Sequence, residues 1–178
     1  MRNIKLGVLS IFAWANMVHG DETFLQIARI EASYKELPKL TELISGESKL
    51  TLFEGLPRQA GGQKELELEE TVIQKEFPFY KVPIKVSKAD ENLLRQICSK
   101  TESFQPFGGF KGSGGFHPDY SLHWAIGDRV AQIQVCFGRH EIRGYLDDVY
   151  VYTEISSGTL KWLSEILGRY KAQRPETK

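Results

Sequence analysis

The sequence predicts a single α+β domain, in which an antiparallel β-meander sheet packs with about three helices. Apolar residues recur at helical spacing near both ends of the chain and once in its middle. Between residues 120 and 155, consecutive segments alternate apolar and polar residues and are separated by short turns. Because these alternating segments follow one another directly, they favour an antiparallel sheet over parallel βαβ units.

Residues 1–20 are predicted to be a cleaved secretory signal peptide. Basic residues open the segment, an apolar run follows at 6–15, and Val18 and Gly20 are small enough to precede a cleavage site. The apolar run is shorter than the roughly 20 residues that span a bilayer. The alternative is a buried first helix or strand. We expect an exported protein, periplasmic or secreted, with a single domain at 21–178.

Charge narrows the classes of partner. Removing residues 1–20 leaves 21 basic and 23 acidic residues, a net charge of −2. A near-neutral chain lacks the basic footprint that nucleic acid or an anionic membrane requires. No later segment is apolar enough to be an integral membrane segment. The remaining partners are a protein or a small ligand.

The first half of the domain begins with helix-spaced apolar residues at 21–46, which Pro38 should break or restart. A strand is predicted at Lys49–Leu56. Further strands are predicted at Thr71–Glu76 and Val82–Val86, joined through residues 77–80. A helix is predicted to start at 87–90, with Ser87 as its N-cap.

The second half begins with a loop at 101–118 that contains several glycines and phenylalanines. Long loops in compact domains are often functional. Strands are predicted at Tyr120–Ile126, Arg129–Phe137 and Val149–Ile155, and residues 139–146 could form another. A last helix follows a cap at Ser156 and Ser157.

The turn Gly127-Asp128 fixes an expected register for the first two of these strands. Ile126 then pairs with Arg129, so that His123 lies opposite Gln132 and Asp119 opposite Cys136. Alternation places His123 on the less apolar face of the sheet, away from Leu122 and Trp124.

After removal of residues 1–20, every histidine lies between residues 117 and 140. The register brings this cluster to one end of the sheet, and three interpretations compete. The first is a divalent metal site formed by His117, Asp119, His140 and Glu141, because imidazole and carboxylate ligands suit zinc. The spacing matches no established zinc motif.

The second interpretation is acid–base catalysis by the pair His117–Asp119 or the pair His140–Glu141. Ser113 is the one candidate nucleophile, and its surroundings differ from the G-x-S-x-G elbow. The third interpretation is structural: these residues fix turns through hydrogen bonds to the backbone.

Two further hypotheses concern the aromatic loop and the cysteines. Phe104, Phe107, Phe110 and Phe116 could form a recognition surface, or could cover the open face of the sheet. Cys98 and Cys136 could form a disulfide between a helix and a central strand, or remain buried thiols.

The chain resembles an uncharacterised family of exported bacterial proteins that is common in planctomycete-type sequences. The resemblance covers about residues 49–153 and depends on four segments: Phe53–Pro57, Phe77–Tyr80, Gly114–Asp119 and Cys136–Glu141. It implies no activity. The family pattern has cysteines where this chain has Ser113 and Arg139, which weakens the metal hypothesis here.

These patterns favour a binding or structural module over an enzyme. A metal-binding protein or metal-dependent enzyme that uses the His/Asp/Glu cluster is the first alternative. An inhibitor of another exported protein is the second.

Overall fold

A computed structural model describes residues 25–57, 70–109 and 115–173. The fold class is confirmed: the described chain combines helices with a six-stranded antiparallel sheet and a separate two-stranded sheet. The predicted signal peptide lies outside the described residues. None of the described helices is long and apolar enough to cross a membrane.

The helices are α1 at residues 25–33, α2 at Leu37–Ser45, α3 at Lys88–Cys98 and α4 at Ser157–Gly168. A 3₁₀ turn at Tyr34–Glu36 separates α1 from α2, and Pro38 lies in the first turn of α2, where its missing N–H is tolerated. Ser87 caps α3 as predicted, because its side chain accepts the backbone N–H of Asp90 at 3.1 Å.

Eight strands are present in the described residues. They are β1 Lys49–Glu54, β2 Thr71–Gln74, β3 Phe77–Tyr80, β4 Phe104–Gln105, β5 Tyr120–Ile126, β6 Arg129–Cys136, β7 Glu141–Leu146 and β8 Val149–Ile155. The main sheet has the order β1-β5-β6-β7-β8-β4, and β2 pairs only with β3. The central four strands form the predicted meander, and residues 139–146 contribute β7.

The predicted register of β5 and β6 is confirmed. Ile126 pairs with Arg129, His123 with Gln132 and Tyr120 with Val135. Asp119 continues this pairing beyond the strand, since its N–H donates to the carbonyl of Val135 at 2.7 Å. The Gly127 backbone has φ of +57°, which the tight turn requires and glycine adopts readily.

One face of the main sheet packs against α2, α3 and α4. Leu122 and Trp124 of β5 are fully buried there, as predicted, together with Ile133 of β6. Gly144 of β7 lies directly under Leu40 of α2, and a Cβ at position 144 would overlap the Leu40 side chain. The absence of a side chain at Gly144 therefore allows α2 to approach the sheet.

The opposite face of the sheet is called here the polar face. Its central side chains are Ser121, His123, Gln132, Gln134 and Arg143, which occupy the alternate positions of β5, β6 and β7. The β2–β3 hairpin lies over them. At one end of this face a small aromatic cluster contains Phe107, Phe116, Tyr152 and Cys136, together with Ile30 of α1.

The strand prediction for residues 71–86 is partly wrong. Residues 77–80 form β3 rather than a connection, and Val82–Val86 forms no strand beyond a single bridge between Ile84 and Leu52. Two prolines explain the error physically, because each removes a backbone donor. Pro78 is tolerated in β3 because the second side of this strand pairs only through the single bridge between Phe79 and Gly55, whereas Pro83 lies in the stretch that pairs only at Ile84.

Candidate functional site

Asp119, predicted as a metal ligand or catalytic acid, instead fixes the turn beside it. Its Oδ2 accepts the backbone N–H of Phe137 at 2.8 Å, across the end of the β5–β6 hairpin. This carboxylate orders the turn between β6 and β7, as the structural interpretation predicts.

Glu141 is held in a buried ion pair. Its side chain has no exposed surface, and Arg139 Nε donates to both carboxylate oxygens at 3.2 and 3.0 Å. The hydroxyl of Tyr152 donates to Oε2 at 2.6 Å. The guanidinium of Arg139 and the hydroxyl of Tyr152 therefore already occupy the carboxylate oxygens that a metal would need.

In the part of the chain that the structure describes, the four proposed metal ligands do not come together. No three His, Cys, Asp or Glu side chains come together there in a way that could hold a metal ion. His117 is half-buried, whereas His140 is exposed in a turn with φ of +58°. His140 and Glu141 are adjacent in sequence, yet one faces solvent and the other is enclosed.

Three of the four phenylalanines suggested as a recognition surface are buried. Phe104, Phe107 and Phe116 are buried, with 3, 5 and 8 % of their surface exposed, and Phe110 lies outside the described residues. Phe104 packs into the helix-side core, whereas Phe107 and Phe116 cover the polar face around Tyr152. The loop thus fills the sheet surface, which is the alternative that the sequence left open.

The suggested disulfide between Cys98 and Cys136 is absent. Both thiols are free and buried. Cys98 belongs to the core between the sheet and the helices, whereas Cys136 belongs to the aromatic cluster on the polar face. The sheet therefore separates the two thiols, and burial raises the pKa of Cys98 to about 12.

A hydrogen-bond network around His123 was not predicted from sequence. Nε2 of His123 lies 2.9 Å from Oε1 of Gln74 and 3.0 Å from Oγ of Ser121. Gln132 Nε2 donates to Ser121 Oγ at 3.0 Å, and Gln134 Nε2 donates to the Gln74 carbonyl at 3.0 Å. The network attaches the β2–β3 hairpin to the polar face.

The tautomer of His123 follows from its partners. A carboxamide oxygen only accepts hydrogen bonds, so Nε2 carries the hydrogen and donates it to Gln74. Burial, and next the positive charge of Lys75, lower the pKa of His123 to about 4. At neutral pH the ring is therefore uncharged.

Ser121 and His123 do not form a nucleophile–base pair. Ser121 has no exposed surface, so a substrate could not reach its hydroxyl. The Nε2 that faces Ser121 carries a hydrogen and cannot accept the serine proton. The pair therefore serves the packing of the hairpin.

A different surface, between α3 and α4, has the properties of a binding site. It is an open groove of about 390 Å³, a volume within the range of ligand sites. Ile97 and Ile166 line it, and Leu93 and Trp162 stand at its sides with 43 and 60 % of their surface exposed. Lys100 is also part of its lining. We call it the α3–α4 groove.

The sequence of the last helix carries one signal for the α3–α4 groove. The helix-spaced apolar residues of the last helix are Leu160, Leu163, Ile166, Leu167 and Tyr170, and Trp162 lies outside that stripe. Trp162 adjoins Leu93 and Ile97 in the groove, and contiguous exposed apolar residues mark contact surfaces.

Comparison of the chain with protein-family models, with curated proteins and with solved structures finds no match.

Proposed function

We propose that this chain is an exported protein-binding module and that the α3–α4 groove is its recognition surface. The observation that carries the proposal is Trp162, which lies 60 % exposed in a regular helix beside an apolar groove. The export pattern of residues 1–20 supports the location.

The floor and sides of the groove suit an apolar side chain from a partner. Ile97 and Ile166 provide an apolar floor, and the Trp162 indole offers a large surface with one hydrogen-bond donor. Tryptophan is enriched among the residues that dominate binding energy in protein interfaces. A single aromatic anchor beside a small groove therefore fits a protein partner that inserts one apolar side chain.

The rim of the groove fits the same conclusion. Lys100, Glu102 and Thr159 place both signs of charge and a hydroxyl beside the apolar floor. Interfaces commonly have an apolar centre and a polar rim. The mixed charges indicate a partner without a strong charge of its own.

The experiment is a selection of peptides from a random library on the chain that begins at Asp21. We expect the selected peptides to share an apolar anchor residue. Replacing Trp162 with alanine should weaken their binding at least tenfold, because the anchor loses its main contact. The equilibrium dissociation constant measured by fluorescence anisotropy gives this ratio.

The matched control is Val82→Ser, since Val82 is an exposed apolar residue away from the groove, with 67 % of its surface accessible. Its affinity for the selected peptides should equal that of the wild type. Equal binding by Trp162→Ala and the wild type would contradict the proposal, as would a selection that yields no peptide.

A further inference from the structure

The β2–β3 hairpin is attached to the main sheet by a polar tip. Oε1 of Gln74 accepts from His123 and, at 3.4 Å, from Gln132 Nε2, while the Gln74 carbonyl accepts from Gln134. Next to it, Glu76 pairs with Nη1 of Arg143 at 3.0 Å. Each of these contacts is a hydrogen bond or an ion pair to the polar face.

The base of the hairpin is anchored differently. Phe79 of β3 is fully buried and forms a bridge with Gly55 beyond the end of β1. The N–H of Lys81 donates to the carbonyl of Glu70 at 2.8 Å and closes the base. The half-buried Phe77 packs against Phe116 with 5.3 Å between the ring centres, so lifting the tip exposes part of Phe77 but leaves the fully buried Phe79 covered.

Every described element around His123 lacks a carboxylate that could stabilise an imidazolium. On the hairpin the nearest charge is Lys75, a cation. From β1, Phe53 packs its ring 5.1 Å from the imidazole, and Thr51 lies opposite in register. From β6, the partner is the neutral Gln132.

More distant charged and titratable groups do not change this balance. Lys49 at the start of β1 is exposed and adds another positive charge. The Lys75 amine lies over the ring of Tyr145 in β7, 5.1 Å from the ring centre. Burial raises the pKa of Tyr145 to about 12. Glu76, the carboxylate of the tip, is paired with Arg143.

We propose that the tip of the β2–β3 hairpin is an acid-released lid over the polar face, with His123 as its trigger. The hydrogen bonds of His123 in the described residues all involve Nε2. Protonation adds a second N–H and a positive charge beside Lys75, in a largely buried site where no carboxylate of the described residues bonds the ring. When the tip lifts, Lys75 and Gln74 move away from His123, and the charged ring reaches solvent.

The size of the effect follows from proton linkage. The pKa of His123 is about 4 under the closed lid, against 6.5 for an exposed imidazole. The free energy by which uncharged His123 favours the closed lid is therefore fully present above pH 6.5, and it is lost as the pH falls toward 4. At pH 5 the ratio of open to closed lid should rise about 30-fold over its value at pH 7.5.

The test is native-state hydrogen exchange at pH 7.5 and pH 5, read by mass spectrometry as protection factors that correct for the intrinsic pH dependence of exchange. A lifted two-stranded hairpin is marginally stable in water, so its amides exchange when the lid opens. We expect protection of the tip, residues 73–77, to fall about 30-fold, while protection of β6 and β7 changes less than threefold.

Two variants test the trigger. His123→Gln keeps a donor for Gln74 and cannot titrate, so its hairpin protection should be equal at the two pH values. Lys75→Asn removes the neighbouring cation, and asparagine suits the φ of +59° at position 75. The fall in hairpin protection between pH 7.5 and pH 5 should therefore be smaller in this variant than in the wild type. His140→Asn, a change at an exposed histidine, is the matched control and should behave as the wild type.

Three results would overturn the proposal. The first is hairpin protection that does not change with pH in the wild type. The second is an equal fall in His123→Gln. The third is a parallel loss of protection in β6 and β7, which would show global unfolding instead of release of the lid.

Discussion

Glu141 illustrates how one buried carboxylate depends on its two donors. Arg139 is 9 % exposed and Glu141 is fully enclosed, so neither charge can be solvated if its partner is removed. We expect Glu141→Gln to destabilise the fold by about 3 kcal/mol, because the guanidinium of Arg139 loses its counter-charge in a buried site. Urea denaturation gives the change in the free energy of unfolding.

The control for this change is an exposed ion pair. Arg129 and Asp147 lie 2.9 Å apart with about half of each side chain exposed. Asp147→Asn should therefore change stability by less than about 1 kcal/mol, since water screens an exposed pair. A similar loss in both variants would show that burial of Glu141 does not matter.

At the residue scale, the sequence predicted which residues lie close together better than it predicted what those residues do. The register argument placed Asp119 beside Cys136 correctly, because a two-residue turn fixes every pair in the hairpin. It could not predict that Tyr152 would donate to Glu141, since that contact depends on the separate pairing of β7 with β8. Without that contact, Glu141 resembled a free metal ligand.

At the element scale, the approach of α2 to β7 depends on Gly144. We expect Gly144→Ala to destabilise the fold by about 2 kcal/mol, because the new methyl group would overlap Leu40 in a packed core. Thermal unfolding measures the loss. Gly138→Ala is the matched control: nothing lies within 4 Å of a Cβ at position 138. Equal melting temperatures for Gly144→Ala and the wild type would contradict this description of the interface.

A polar clamp joins the start of α3 to the end of α4. The hydroxyl of Tyr170 donates to Asp90 at 2.6 Å and accepts the N–H of Ser87 at 3.0 Å. We expect Tyr170→Phe to lower the free energy of unfolding by about 1 kcal/mol at pH 7. Tyr150→Phe, at a partly exposed tyrosine, should change it less.

The clamp also has a defined pH dependence. The hydrogen bond from Tyr170, followed by other polar contacts, lowers the pKa of Asp90 below its ordinary value of 3.8. Its contribution to stability is therefore present above pH 3.8 and is lost as the pH falls below that value. The difference between Tyr170→Phe and the wild type should shrink at pH 3. A difference in the free energy of unfolding that is the same at pH 7 and pH 3 would contradict this role for Asp90.

The sequence predicted the helix boundaries well, but it did not predict the β2–β3 hairpin. Ser87 marks the start of α3 through local chemistry that the sequence displays directly. The β2–β3 hairpin is held by Phe79 and Gln74, whose partners lie about 25 and 50 residues away in the chain. Local patterns carry little information about such contacts, so the strand at Val82–Val86 was predicted wrongly.

At the scale of the whole molecule, the two thiols should behave as independent buried groups. We expect no reaction of Cys98 or Cys136 with Ellman's reagent in the native state, because both are buried and Cys98 holds its proton to about pH 12. Two thiols should react after denaturation without reductant. A denatured protein that shows none would indicate a disulfide.

The fold class followed from the order of elements, since consecutive alternating segments can only pair antiparallel over short turns. The α3–α4 groove could not be predicted in this way, because strands β4 to β8 separate α3 from α4 in the sequence. Trp162 marks that surface on α4, but its neighbours Leu93 and Ile97 come from a helix more than 60 residues earlier.

The most direct test of the proposed function is an NMR titration of the chain that begins at Asp21 with a selected peptide. Two indole N–H signals are expected, from Trp124, which is fully buried, and Trp162, which is exposed. We expect the peptide to shift the Trp162 signal and the amide signals of Leu93 and Ile97, and to leave the Trp124 signal unchanged. Saturable shifts confined to the polar face or the β2–β3 hairpin, with an unmoved Trp162 signal, would contradict it.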